Sequence, residues 1–158
     1  MAVFTPEKAL MWMKKTPALI RVTLSGVNQA RATGSRDGED GWNVLEIVCH
    51  LNDYEQIFIE RLRMMLDQDR PAFPAYDQNA LVVENQYDAQ QFDLVVTSWI
   101  SRRAAHVRML EALTPEQWER RGIHPSFGEM SVLDESINAT LHDVNHLEQI
   151  TRVLGLGG

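Results

Sequence analysis

The 158 residues, of which 44% are hydrophobic and 23% charged, have the size and composition of one ordinary globular domain and exclude an intrinsically disordered chain. A formal net charge of -7 argues against a nucleic-acid backbone as the main partner, because phosphate binding requires clustered Lys and Arg. No apolar run approaches the ~18 residues of a membrane span, and the single cysteine, Cys49, cannot form an internal disulfide. We therefore expect one soluble domain over residues 1–158, located in the cytoplasm.

Two proline-containing turns predict the first helices of the chain. Thr5-Pro6 and Thr16-Pro17 each place a capping residue before a proline at the first helical position, where the missing N–H costs nothing. We expect a short helix that ends near residue 14 and a second helix over about 17–30. The glycine-containing run 34–38 then interrupts the chain.

The next helix has a clear beginning. Asn43 can cap it, and Glu46, three residues later, completes the capping-box pattern. Because no Gly or Pro follows until Pro71, this pattern predicts about seven helical turns. Its apolar surface is formed by Leu45, Val48, Leu51, Ile57, Ile59, Leu62, Met65 and Leu66.

Residues 69–87 hold two prolines and no clean helical period, which predicts a long connection that can cross the end of a helical bundle. Asp88, with Gln91 three residues later, is the expected cap of a third long helix that reaches Leu113. Residues 121–130 indicate a turn-rich loop. Ser131 and Asp134 indicate the cap of a last helix that ends near Leu154.

No segment shows the alternation typical of strands, and none is predicted. The sequence therefore predicts an all-α fold: a four-helix bundle with a long crossover between the second and third helices.

His142 and His146 are the most informative side chains of the sequence. Four-residue spacing on a helix sets two imidazoles about 40° apart and roughly 6 Å along the axis, which suits two nitrogens binding one ion. Asp143 follows the first histidine, so the motif lacks the glutamate of the metalloprotease His-Glu-x-x-His pattern. This pair indicates half of a metal site and does not favour a peptidase.

His50 is the candidate third ligand, because it lies within an apolar stretch of a different long helix. Three histidines from two bundle helices would leave a coordination position open for water or substrate. The alternative is a hydrogen-bonded core histidine without metal. His106 and His124 are interpreted as ordinary polar residues and Cys49 as a buried, inert thiol, while Asp53 is a candidate acceptor that steadies His50.

These residues resemble the DinB-like (YfiT-like) family of four-helix metalloenzymes. The resemblance spans most of the chain and is carried by residues 41–51, 61–62, 74–77, 124–131 and 142–150. It implies a four-helix bundle with an unusual crossover, frequent homodimers, and a divalent metal bound by His50, His142 and His146. Zinc is the expected metal, with nickel and iron as alternatives. Characterised relatives include transferases and isomerases that use low-molecular-weight thiols such as bacillithiol or mycothiol.

The leading hypothesis is a metal-dependent enzyme that acts on a small molecule. It would transfer a low-molecular-weight thiol cosubstrate to a small electrophile or, as a second choice, activate water for hydrolysis. A non-catalytic, stress-related metal-binding bundle is the alternative from another class. No catalytic acid or base can be assigned from the sequence, and neither nucleic acid nor a membrane is an expected partner.

Overall fold

The computed structural model describes residues 4–156, and four long helices form its framework. They are α1 (Pro6–Thr23), α3 (Val44–Asp67), α5 (Phe92–Glu111) and α7 (Val132–Val153). Shorter elements join them: α2 (Gln29–Thr33), α4 (Gln78–Glu84), a 3-10 turn (Tyr87–Ala89), α6 (Pro115–Trp118), β1 (Arg121–His124) and β2 (Gly128–Ser131). The predicted four-helix bundle with a long connection between α3 and α5 is confirmed. None of the helices in this part of the chain is long and apolar enough to cross a bilayer.

The prediction of two separate N-terminal helices is wrong, because α1 continues through Pro17. A proline inside a helix removes one hydrogen bond and leaves the carbonyl four residues earlier without its usual donor. Here that carbonyl belongs to Met13, and the Arg103 guanidinium lies 3.5 Å from it as a substitute donor. A tertiary contact thus compensates for the proline. The chain then turns, and Asn28 caps the separate short helix α2.

The capping boxes predicted at Asn43 and Ser131 are present. The backbone N–H of Asn43 donates to Glu46 at 2.8 Å, and the backbone N–H of Glu46 donates to the Asn43 side chain at 2.9 Å. Ser131 and Asp134 make the equivalent pair of bonds at 2.8 and 3.1 Å. These caps set the first residues of α3 and α7, the two helices that carry the candidate ligands.

The predicted cap of α5 is wrong. Asp88 lies in the 3-10 turn, and α5 begins only at Phe92. The Phe92 N–H donates to the side-chain oxygen of Gln29 at 2.7 Å, so the cap comes from α2 rather than from the preceding residues. The connection itself contains a short helix, α4, capped by Asp77. None of the residues of α4 is buried, which explains why the sequence shows no apolar period there.

The expectation that no strands form is also wrong. β1 and β2 pair as an antiparallel hairpin, which closes through Gly128 at φ 75°. β1 is held on its other side by the connection after α3, where Ile123 donates to the Pro71 carbonyl at 2.8 Å and Phe73 donates to the Ile123 carbonyl at 2.9 Å. Strands of four residues are too short for a visible alternation, and their stability comes from these distant partners.

A buried charge network joins the four long helices. Arg103 of α5 donates to Glu55 of α3 at 2.6 and 2.8 Å and to Asp143 of α7 at 2.5 and 3.0 Å. Thr16 of α1 donates to Asp143, and His106 lies 2.8 Å from Glu55. Burial opposes ionisation of Glu55, but Arg103 and His106 outweigh it and lower its pKa to about 2. Burial prevails for Asp143 and raises its pKa. The network fixes α7 against α3 directly beside the candidate ligands.

Candidate metal centre

Three imidazoles meet where α3 faces α7. Nε2 of His142 lies 2.9 Å from Nε2 of His50 and 3.2 Å from Nε2 of His146. All three side chains offer a nitrogen within 4.8 Å of the others. A tetrahedral ion bound at ~2.0–2.1 Å would hold its nitrogen ligands about 3.3 Å apart, close to the two measured separations. The structure therefore brings together the three histidines that the sequence assigned to one site, in an arrangement that fits a metal ion.

Burial keeps these imidazoles neutral. It lowers the pKa of His50 to about 3, with a further contribution from His146. Burial also lowers the pKa of His142 well below its usual value, and it lowers the pKa of His146 against the opposing effect of Gln149. Neutral imidazole is the form that binds metals, so the burial of the site prepares its donors without any change of protonation.

Gln149 sets the orientation of His146. Nδ1 of His146 lies 2.8 Å from the side-chain oxygen of Gln149, and an amide oxygen can only accept, so the proton is on Nδ1. The Nε2 lone pair then points at the other two imidazoles. Gln149 in turn donates to Asp37 at 3.0 Å. This histidine–amide–carboxylate chain is of the kind that orients metal-bound histidines.

Asp53, the expected support of His50, does not have that role. Its carboxylate accepts from Asn85 and from the Tyr87 hydroxyl, each at 2.7 Å, on another side of α3. Nδ1 of His50 is buried and has no hydrogen-bond partner in residues 4–156. His50 is instead held by rings: the centroid of Trp42 lies 4.8 Å away and that of Tyr54 4.3 Å away.

A cleft of about 530 Å³ opens from the three imidazoles to the surface. The Tyr54 ring stacks on His142, with centroids 4.9 Å apart and planes 21° apart, and it forms one wall. The Tyr54 hydroxyl donates to none of the described residues, and burial raises its pKa, so the phenol keeps its proton at neutral pH. Gln78, Asn79 and Asn145 add amide groups around the opening.

The model of the DinB superfamily matches residues 12–150 of this chain. The chain belongs to the DinB superfamily. Its relatives include YfiT of Bacillus subtilis, 23% identical over 156 residues, or 94% of this chain and 85% of YfiT. Another is a protein of Oceanobacillus iheyensis, 26% identical over 113 residues, or 71% of this chain and 64% of the relative. The match therefore spans less than two thirds of that relative. Both are named as candidate metal-dependent hydrolases.

Two solved structures share the fold. The structure of YfiT, described as having an unusual four-helix bundle topology, aligns with a TM-score of 0.80 at 20% identity and covers 98% of this chain and 90% of YfiT. The colibactin self-resistance protein ClbS, solved with double-stranded DNA, aligns with a TM-score of 0.73 at 12% identity and covers 96% of each chain. At these identities the likeness shows the fold alone, and it confirms the predicted DinB/YfiT-like bundle.

The remaining sequence candidates lie outside the cluster. His106 is buried against Glu55, so it is a core residue rather than a surface one. His124 accepts from the backbone N–H groups of Ser126 and Phe127 in the hairpin turn. Cys49 is buried, and burial, with the charges of Asp53 and Glu46, raises its pKa to about 12. Its thiol is therefore a poor nucleophile, as the sequence predicted.

Sequence analysis missed Gln149 and Asp37. Gln149 lies three residues after His146 on the same helix, a spacing that brings side chains together and is visible in the sequence. Asp37 lies in the loop before α3, and no local pattern connects it with residues more than a hundred positions later.

Proposed function

We propose that this chain binds a divalent metal ion through the Nε2 atoms of His50, His142 and His146 and that it hydrolyses a small-molecule substrate. The convergence of three neutral imidazoles at the base of an open cleft carries this proposal. The names of the relatives as candidate metal-dependent hydrolases support it. Zinc is the metal we expect, because three histidines and one exchangeable position are a frequent catalytic zinc site; nickel and iron also suit imidazole ligands.

An ion held by these three histidines would act as a Lewis acid and would activate water for hydrolysis at neutral pH. The protein contributes orientation and shielding. Gln149 keeps the lone pair of His146 directed at the cluster, and the rings of Trp42 and Tyr54 pack against its imidazoles. The protonated Tyr54 hydroxyl is available to donate a hydrogen bond to a substrate oxygen, where negative charge develops in acyl transfer.

Hydrolysis takes precedence here over the thiol transfer that the family resemblance favoured. The relatives' names refer to hydrolysis, and no described contact favours a thiol cosubstrate. Thiol transfer and a non-catalytic metal-binding role are therefore alternatives for one assay to decide.

The assay compares metal-free protein with protein reloaded with zinc, nickel or ferrous iron, on a panel of small esters, amides and lactones, with and without added thiol. We expect turnover that needs metal but no thiol and that His142→Ala abolishes. His124→Ala, which changes a histidine outside the cluster, should keep wild-type turnover. Turnover that requires the thiol would favour thiol transfer. A fully metal-loaded protein that converts no substrate would favour the non-catalytic role.

A further inference from the structure

Apart from the ion proposed at its base, the cleft above the three histidines offers almost no free positive charge. Among its described lining residues, Arg152 is the one Lys or Arg side chain. Each of its three guanidinium nitrogens already donates to a carboxylate: Nε and Nη2 to Asp37 at 2.9 and 2.8 Å, and Nη1 to both oxygens of Glu148 at 3.0 Å. A guanidinium engaged in this way is a poor receptor for a further anion.

The rest of the lining is acidic or neutral. Asp40 and Glu148 are carboxylates, and together with Asp37 they outnumber Arg152. Besides the three imidazoles, the Tyr54 hydroxyl and the Trp42 indole, the other polar side chains are amides, which donate to and accept from uncharged amides and hydroxyls: Gln78, Asn79, Asn145 and Gln149. Phosphate and carboxylate groups bind most strongly to unpaired Arg or Lys, and this cleft has none among its described residues.

Arg152 also has a structural task that accounts for its pairing. Asp37 accepts from Arg152 of α7 and from Gln149, and its own N–H donates to the Trp42 carbonyl at 2.9 Å. Hydrogen bonds from Arg152 and Gln149 lower the pKa of Asp37, so this carboxylate stays charged opposite the guanidinium. The ion pair thereby attaches the loop that carries Trp42 to the helix that carries His146.

We infer that the cleft selects a substrate that is uncharged outside the group that reaches the three histidines, such as a neutral amide or ester. Asp37 and Glu148 determine this specificity because they neutralise Arg152. The inference rests on the proposed metal site, and it narrows the substrate class from any small molecule to neutral acyl compounds. Phosphorylated and polycarboxylate substrates are disfavoured.

Two metal-binding probes of equal size test the inference by affinity rather than by turnover. They are the hydroxamic acids derived from succinic acid and from its monoamide, which differ only in a terminal carboxylate or carboxamide. Titration calorimetry of the zinc-loaded protein at low ionic strength should show the carboxylate probe binding about fivefold more weakly, as expected if one of the two uncompensated carboxylates lies ~8 Å from it in a partly solvated cleft. Glu148→Gln removes one of these two charges and should bring the ratio closer to one.

Glu119→Gln is the matched control, because it makes the same charge change at an exposed residue that does not line the cleft. It should leave the wild-type ratio unchanged. The inference would be overturned if the wild type bound the carboxylate probe as tightly as the amide probe. It would also be overturned if Glu148→Gln and Glu119→Gln gave the same ratio of probe affinities. Either result would leave the metal site intact. Metal analysis before titration separates that result from failure of the proposed function, in which no zinc would be bound.

Discussion

Replacement of Arg103 by methionine is the most informative perturbation of the fold. Arg103 is 2% exposed and donates to two buried carboxylates, Glu55 and Asp143, and to the Met13 carbonyl that Pro17 leaves without a helical donor. Methionine keeps much of the side-chain volume but removes the guanidinium that both carboxylates share, so Asp143 loses its counter-ion and Glu55 keeps only His106. Breaking a buried ion pair in this way costs about 3–5 kcal/mol, a large part of the ~5–15 kcal/mol that stabilises a typical domain.

Urea unfolding followed by far-UV circular dichroism at neutral pH measures this cost. With a denaturant slope of about 2 kcal/mol per molar urea, the midpoint should fall by about 2 M. Arg108→Met is the matched control: it lies on the same helix but is exposed, and it should change the free energy of unfolding by less than about 0.5 kcal/mol. If Arg103→Met lowers stability no more than Arg108→Met does, the network does not hold the bundle together.

Three further predictions concern single residues. Glu55 stabilises the fold above its ordinary pKa of 4.5, and because its pKa in the folded protein is about 2, that contribution should decline as pH falls between these values. From neutral pH down to about pH 3, the free energy of unfolding should fall by ~1–2 kcal/mol more in the wild type than in Glu55→Gln. Parallel pH profiles of the two proteins would contradict this prediction. Gly122→Ala should lower the free energy of unfolding by about 1–3 kcal/mol, because the added Cβ would lie 2.2 Å from the Phe73 ring. The second substitution Phe73→Leu should restore part of the loss. A fully stable Gly122→Ala variant would disprove the close contact. Tyr54→Phe keeps the ring against His142, so the metal content should be unchanged. Because the variant lacks the hydroxyl, kcat on the hydrolysed substrate should fall about tenfold or more. An unaltered kcat would show that the hydroxyl takes no part in the reaction.

The features that the sequence predicted depend on neighbouring residues. The caps at Asn43–Glu46 and Ser131–Asp134 are complete within four positions, and they locate the start of α3 and α7. Helical periodicity then places His142 and His146 on one face. His50 was assigned to the same site because it lies in an apolar stretch of a long helix, and such a stretch faces the interior of a bundle.

The features that it missed depend on residues far along the chain. The carbonyl that Pro17 leaves free in α1 meets Arg103, and the N–H at the start of α5 donates to Gln29. The hairpin needs the backbone of the connection after α3, and neither strand has enough alternating residues to be detected alone. The expected role of Asp53 was wrong because its carboxylate accepts a hydrogen bond from Tyr87, which lies 34 residues later in the chain.

The metal content of protein purified without an affinity tag shows whether the three histidines bind an ion. Elemental analysis should find about one divalent ion per chain in the wild type and in His124→Ala, and almost none in His50→Ala or His142→Ala once each variant is shown to be folded. Equal and negligible metal in the wild type and in both ligand variants would contradict the claim. It would leave the three imidazoles as a hydrogen-bonded cluster between α3 and α7.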